Sequence, residues 1–280
     1  MIDLLHHVGV VVTDADRALS FYRDVIGLPV VADSVLDDQG VRAILLAVGE
    51  NELEILSPTR DDTGVARFLE SRGETLHHLC FRTDDIAGEL ARLAAAGVEL
   101  VDREPREGLA GRVAFLHPRA MGGVLVELAE PPPGAHERAE KGFDHLSVRT
   151  RDLEQAALLW RDVLGLEVDG RVELEEAGAM VAQMPVGRCR IDLIAPARPD
   201  APFARELERL GEGAVPAIAL EAGDLDRETA RLRAAGVELD AAPAVTTPAA
   251  RSATIPAERA FGVAVRLTAY DRPGPGGRAE

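Results

Sequence analysis

In residues 14–28, DADRALSFYRDVIGL, apolar side chains stand at 18, 19, 21, 22, 25 and 26, the spacing of one helical face, with Gly27 as a stop. This predicts a helix over 16–26. A second such stretch covers 86–96 and stops at Gly97. Elsewhere the pattern is that of strands. HHVGVVVTD and HHLCFRTDD each precede a helix, and short β-branched runs follow at 41–48, 52–56, 112–116 and 124–128. The unit reads as a strand, a helix and about three strands, βαβββ.

The pattern returns in the second half at a nearly constant offset. Residues 152–166, DLEQAALLWRDVLGL, match 14–28, and RLRAAGVEL at 231–239 matches RLAAAGVEL at 92–100. So long a match, nearly without gaps, indicates duplication. It predicts two domains, 1–130 and 143–270, with a Pro- and charge-rich linker at 131–142 and a disordered tail at 271–280.

At 280 residues the chain is long enough for two cores, and 46% hydrophobic with 28% charged residues fits a soluble protein. A net charge of −17 argues against nucleic acid or an anionic membrane as partner, because both need basic surface. Cys80 and Cys189, one per half, each lie in an apolar run and read as buried reduced thiols. The start, MIDLLHHVGV, has no basic leader pattern, and no run approaches the ~20 apolar residues of a membrane span. A cytoplasmic protein is expected.

Four residues of the first half carry candidate chemistry: His7, Glu54, His78 and Glu127. The repeat places His145, Asp192, Ala217 and Arg266 at the corresponding positions, so the second set has lost an imidazole and gained a cation. Strand alternation predicts that His6 and His7 point opposite ways, as do His77 and His78. Two imidazoles and two carboxylates suit Co²⁺, Ni²⁺, Zn²⁺ or Mn²⁺, and the lack of thiolates argues against a structural zinc. Metal chemistry is expected in the first half only.

The modules resemble the vicinal oxygen chelate superfamily (glyoxalase, bleomycin resistance and dioxygenase proteins). Within it, the first half resembles the methylmalonyl-CoA epimerases. The resemblance rests on LHHVGVVVTDADRALSFYRDVIGL, QGVRAILLAVGENELEILSPT, LHHLCFRTDDI and GRVAFLHPRAMGGVLVELAE, with HPxxxGGVLVEL at 117–128 the most specific segment. It implies an α+β fold with two curved, incompletely closed eight-stranded sheets, each built from two modules. It also implies that His7, Glu54, His78 and Glu127 are the metal ligands, with Glu127 first and Glu54 second as carriers of the α-proton. Two departures stand out. Ala43 occupies a place where some bacterial epimerases align an acidic residue, and a degenerate second copy is appended where relatives are usually single-domain homodimers.

The expected activity is therefore metal-dependent epimerisation next to a thioester or ketone carbonyl, with an acyl-CoA substrate and a monomeric or homodimeric protein. Arg106, Arg112, His117 and Arg119 are candidate contacts for the substrate carboxylate or CoA phosphates. A glyoxalase-type lyase or isomerase is the nearest alternative. A small-molecule-binding resistance protein is the non-catalytic one, and it would not need four intact ligands.

Overall fold

A computed structural model describes residues 2–132, 139–240 and 250–270. The chain divides into two compact units, Met1–Glu140 and Lys141–Glu280. In the first, β1 (Leu4–Val11), α1 (Ala15–Ser20), β2 (Val30–Leu36), β3 (Val41–Val48) and β4 (Asn51–Pro58) form one module. After α2 (Gly64–Arg72) come β5 (Thr75–Arg82), α3 (Ile86–Ala95), β6 (Arg106–Gly108), β7 (Gly111–Leu116) and β8 (Val126–Glu130).

Together the strands form an eight-stranded sheet in the order β2-β3-β4-β1-β5-β8-β7-β6. The order reads as two equivalent halves meeting at the antiparallel β1–β5 pair, with β1 parallel to β4 and β5 parallel to β8. Every residue of β1 is buried, which is why VGVVV is continuously apolar rather than alternating.

The helix expected at 16–26 forms in two parts. α1 starts at Ala15 with Asp14 accepting from the Arg17 N–H, and it runs on as a π-helical turn, Phe21–Ile26. Gly27 ends it at φ 88°, the left-handed region glycine tolerates. α3 is capped by Asp85 and buries Ile86, Leu90 and Leu93 against the sheet. Each such side chain contributes roughly 1.5–3 kcal/mol.

In the second unit, β9 (Phe143–Arg149), α4 (Leu153–Leu164), β10 (Gly170–Leu174), β11 (Ala179–Val186) and β12 (Cys189–Pro196) repeat the first module. α5 (Pro202–Leu210), β13 (Ala217–Glu221), α6 (Leu225–Ala234), β14 (Ala250–Ile255) and β15 (Ala264–Tyr270) follow. Among the described residues this sheet has seven strands, β10-β11-β12-β9-β13-β15-β14, rather than the eight expected. The repeat puts the counterpart of β6 within 241–249, outside the described residues, as are the expected tail and 133–138 of the expected linker.

The pattern of apolar positions did not foretell α2 and α5. Both are only nine residues long, and their apolar stripes are short: Val65, Phe68 and Leu69 on α2, and Phe203, Leu207 and Leu210 on α5. Thr63 and Pro202 at their starts were the available signals. Among the described residues, no helix is long and apolar enough to cross a membrane.

Candidate metal centre

Strand pairing decides what meets at the middle of the first sheet. Glu54 on β4 lies opposite Gly9 of β1, His78 on β5 lies opposite the same Gly9, and Glu127 on β8 lies opposite Cys80. His7 is two residues before Gly9, on the same face. Four side chains separated by up to 120 positions in sequence are thereby brought together on three strand junctions.

Their donor atoms converge. His7 Nε2 lies 2.9 Å from His78 Nε2 and 2.9 Å from Glu127 Oε2, and His78 Nε2 lies 3.1 Å from the same oxygen. Glu54 Oε2 is 3.5 Å from both imidazole nitrogens. His7 and His78 are each 1% exposed, Glu127 5% and Glu54 7%, so water does not solvate the cluster. Among the described residues no hydrogen bond reaches Glu127 Oε2. Burying a charged group costs several kcal/mol even after relaxation, and here lone pairs of two carboxylates and two imidazoles face one point. Protons or a cation at that point would relieve the repulsion, and the N₂O₂ donor set matches a divalent metal.

The same repulsion divides the two carboxyl groups. Burial raises Glu54 above the usual carboxylate range, and the imidazoles only partly offset it. Burial acts the same way on Glu127, but His78 and His7 outweigh it and hold Glu127 well below that range. Burial alone would lower His7; Glu54 and Glu127 more than reverse this and raise it.

The expectation that His6 and His77 point away from the cluster does not hold. On β1 the pairing passes from Leu5 to His7 while β5 advances by one residue, so His6 is the extra residue of a bulge. On β5 it passes from His78 to Leu76, so His77 is the extra residue of an equivalent bulge. Bulging suspends the alternation, and each extra histidine lies beside the one that follows it. His6 Nδ1 is 2.9 Å from His7 Nδ1, and His77 Nδ1 is 3.0 Å from His78 Nδ1. A proton held on Nδ1 of His7 or His78 leaves Nε2 as the lone-pair donor. Burial pushes His77 down to about 3, so it is a neutral partner. The paired-histidine signal was visible in the sequence; the two bulges were not.

Two further residues complete the surroundings. A Cβ on Gly9 would sit 2.2 Å from His78 Cε1, so glycine there makes room for the imidazole. The thiol of Cys80, on the strand next to Glu127, is pushed well up by burial and stays neutral. Ala43 lies in an apolar cluster with Val11, Val41 and Leu56.

Of the candidate substrate contacts, only Arg106 is joined to the donors through packing. Its guanidinium lies 5.3 Å over the Phe115 ring, whose edge meets His78 at 5.4 Å between centroids. Arg112 alternates onto the face opposite Phe115 and pairs with Glu130 at 2.5 Å. Arg119 is exposed and bound to Glu99 at 2.6 Å, while His117 Nδ1 accepts from the Arg119 backbone N–H at the start of a short 3₁₀ turn.

The second sheet confirms the residue equivalence and shows a different arrangement. Asp192 lies opposite Ser147 as Glu54 lies opposite Gly9, and Arg266 lies beside Ala219 as Glu127 lies beside Cys80. Asp192 is clamped by Arg190 at 2.6 and 3.2 Å, and His145 Nδ1 lies 2.5 Å from Asp144. With Ala217 in place of an imidazole, no counterpart of the four-donor cluster remains among the described residues.

Comparison with known proteins agrees with this architecture. The family model for the glyoxalase/bleomycin resistance protein/dioxygenase superfamily matches twice, over residues 6–115 and 144–254. The mitochondrial methylmalonyl-CoA epimerase of Mus musculus is 36% identical over 128 residues, which are 45% of this chain and 72% of that protein. The ethylmalonyl-CoA/methylmalonyl-CoA epimerase of Cereibacter sphaeroides is 35% identical over 133 residues, 46% of this chain and 99% of that protein. Such relatives thus span about half of the present chain. A mutant 4-hydroxymandelate synthase from Streptomyces coelicolor shares the fold over 97% of this chain and 94% of its own, with TM-score 0.75 and 19% identity. The duplicated modules and the double match lead to one conclusion: the chain belongs to the glyoxalase/bleomycin resistance protein/dioxygenase superfamily.

Proposed function

We propose that the first domain is a divalent-metal-dependent epimerase that exchanges the proton next to the carbonyl of an acyl-CoA thioester, with methylmalonyl-CoA or a close homologue as substrate. The observation that carries this reading is the buried convergence of His7, Glu54, His78 and Glu127, in the half of the chain that is similar to methylmalonyl-CoA epimerases.

Those four side chains would hold the ion, Co²⁺, Ni²⁺, Zn²⁺ or Mn²⁺. When bound, it supplies a Lewis acid for the charge that develops on a carbonyl oxygen, an effect worth several kcal/mol. The remaining work falls to the chain. His6 and His77 orient the ligand imidazoles through Nδ1. Glu127 takes the α-proton and Glu54 returns one, and a positioned base of this kind contributes about 10²–10⁴-fold. Arg106, held over Phe115 beside His78, is the cation best placed to receive the acid end of the substrate.

The test is conversion of one methylmalonyl-CoA epimer into the other by purified protein. The expected result is turnover that a chelator abolishes and a divalent ion restores. Protein that binds metal but never interconverts the epimers would remove the acyl-CoA assignment and favour a glyoxalase-type substrate, whose chemistry uses the same donor set.

A further inference from the structure

The second sheet carries a set of buried polar groups that its own fold does not use. Ser252 and Thr254 on β14 lie opposite Thr268 and Arg266 on β15, so the four alternate onto one face of this strand pair. Ser252 Oγ, Thr254 Oγ1, Arg266 Nε and Thr268 Oγ1 are all cut off from solvent, and none has a hydrogen-bond partner among the described residues. Thr268 is 1% exposed and Thr254 8%. Buried polar groups are ordinarily paired, so four on one contiguous face are an unusual concentration.

In the first domain the equivalent face carries Glu127 among apolar side chains. The repeat aligns Ser252 with Val113, Thr254 with Phe115, Arg266 with Glu127 and Thr268 with Ala129. Three apolar side chains have become hydroxyls, and the carboxylate has become a guanidinium. Burial lowers Arg266, and a further cation, Arg149 on β9, is close enough for the two guanidiniums to repel and add to this, while the Glu206 carboxylate opposes it in part. Arg149 is neutralised by Glu206 at 2.6 Å and stacks over Phe203. The other buried charges are also matched, Asp192 by Arg190 and Asp144 by His145 and Tyr270. Arg266 has no ion pair among the described residues.

We propose that the second domain is a binding site for a small oxyanion, a carboxylate or phosphate group, held by the Arg266 guanidinium and the hydroxyls of Ser252, Thr254 and Thr268. An anion accepts from all four at once: the guanidinium presents N–H donors, and each hydroxyl turns its proton toward the ligand. Duplication has thereby reversed the sign of the ligand, from a metal cation in the first cleft to an anion in the second.

Isothermal titration of the full-length protein with inorganic phosphate and with malonate, at constant ionic strength in chloride, tests this. We expect saturable binding of at least one probe, retained by His78→Ala and weakened at least tenfold in both Arg266→Gln and Thr268→Val. The tighter probe identifies the source as phosphate or carboxylate. Thr268→Val keeps the side-chain shape, so it decides the matter even if Arg266→Gln does not fold. Absence of saturable binding, unchanged binding in Thr268→Val, or loss of binding in His78→Ala would overturn the proposal.

Discussion

Glu127 and Arg266 occupy the same position in two copies of one sheet: Glu127 stands beside Cys80 on β5, and Arg266 beside Ala219 on β13. Opposite charges at equivalent positions, Glu127 buried and Arg266 half-buried, predict different occupants. Elemental analysis of protein reconstituted with Co²⁺ or Zn²⁺ should give about one ion per chain. Glu127→Arg, which copies the second domain, should abolish it. Arg266→Glu should add no second ion, because Ala217 supplies no imidazole.

The bulged histidines predict a graded effect. His6→Ala and His77→Ala remove the Nδ1 partners of His7 and His78 without touching a donor atom. Loss of such outer partners typically weakens a site by about 10–100-fold. Competition with a chromophoric chelator should show that loss for each variant, whereas His7→Ala and His78→Ala should lose the ion altogether.

Gly9 and His78 form a coupled pair, because a Cβ on the glycine would overlap the imidazole. Gly9→Ala should displace the ring, abolish metal binding and destabilise the domain by about 1–3 kcal/mol, the usual cost of overpacking. Adding His78→Ala should recover stability but not metal binding. The second domain likewise pairs a residue that bears a Cβ with the loss of the imidazole, Ser147 with Ala217. Denaturant melts of the two single variants and the double variant measure the coupling.

Acid stability offers a separate check. Burial would raise the Glu228 carboxyl, but hydrogen bonds from Arg231 and Lys141 outweigh it and hold Glu228 at about 2. A folded-state value below the unfolded one means stability is fully present above about pH 4 and is lost as pH falls toward 2. Glu228→Gln should therefore be less stable than the parent at neutral pH and show a flatter stability profile between pH 4 and 2. Equal slopes for the two proteins in that window would contradict the ion-pair assignment.

Much of the site could be read from the chain because the duplication supplies an internal comparison. The substitution of Ala217 and Arg266 for His78 and Glu127 separates a donor set from ordinary strand polar residues without any second sequence. The βαβββ units were legible for a related reason: Gly27 and Gly97 end helices whose apolar faces are regular. What escaped the reading depends on register. A one-residue bulge at His6 or His77 reverses which face a side chain takes, and period-2 alternation cannot anticipate it. Arg112 seemed equivalent to Arg106 in sequence, yet it falls on the opposite face of β7 from Phe115. The hydroxyl face of the second domain emerged only when Ser252, Thr254 and Thr268 were placed opposite one another across β14 and β15.

The account rests most heavily on Glu127 as the group that takes a carbon-bound proton inside a metal site. Proton NMR of methylmalonyl-CoA in D₂O, with Co²⁺-loaded protein, follows this step directly through loss of the α-proton signal. The account predicts rapid exchange with the parent protein and a reduction of about 10²–10⁴-fold in Glu127→Gln. Exchange at the parental rate in that variant, with the metal still bound, would contradict it.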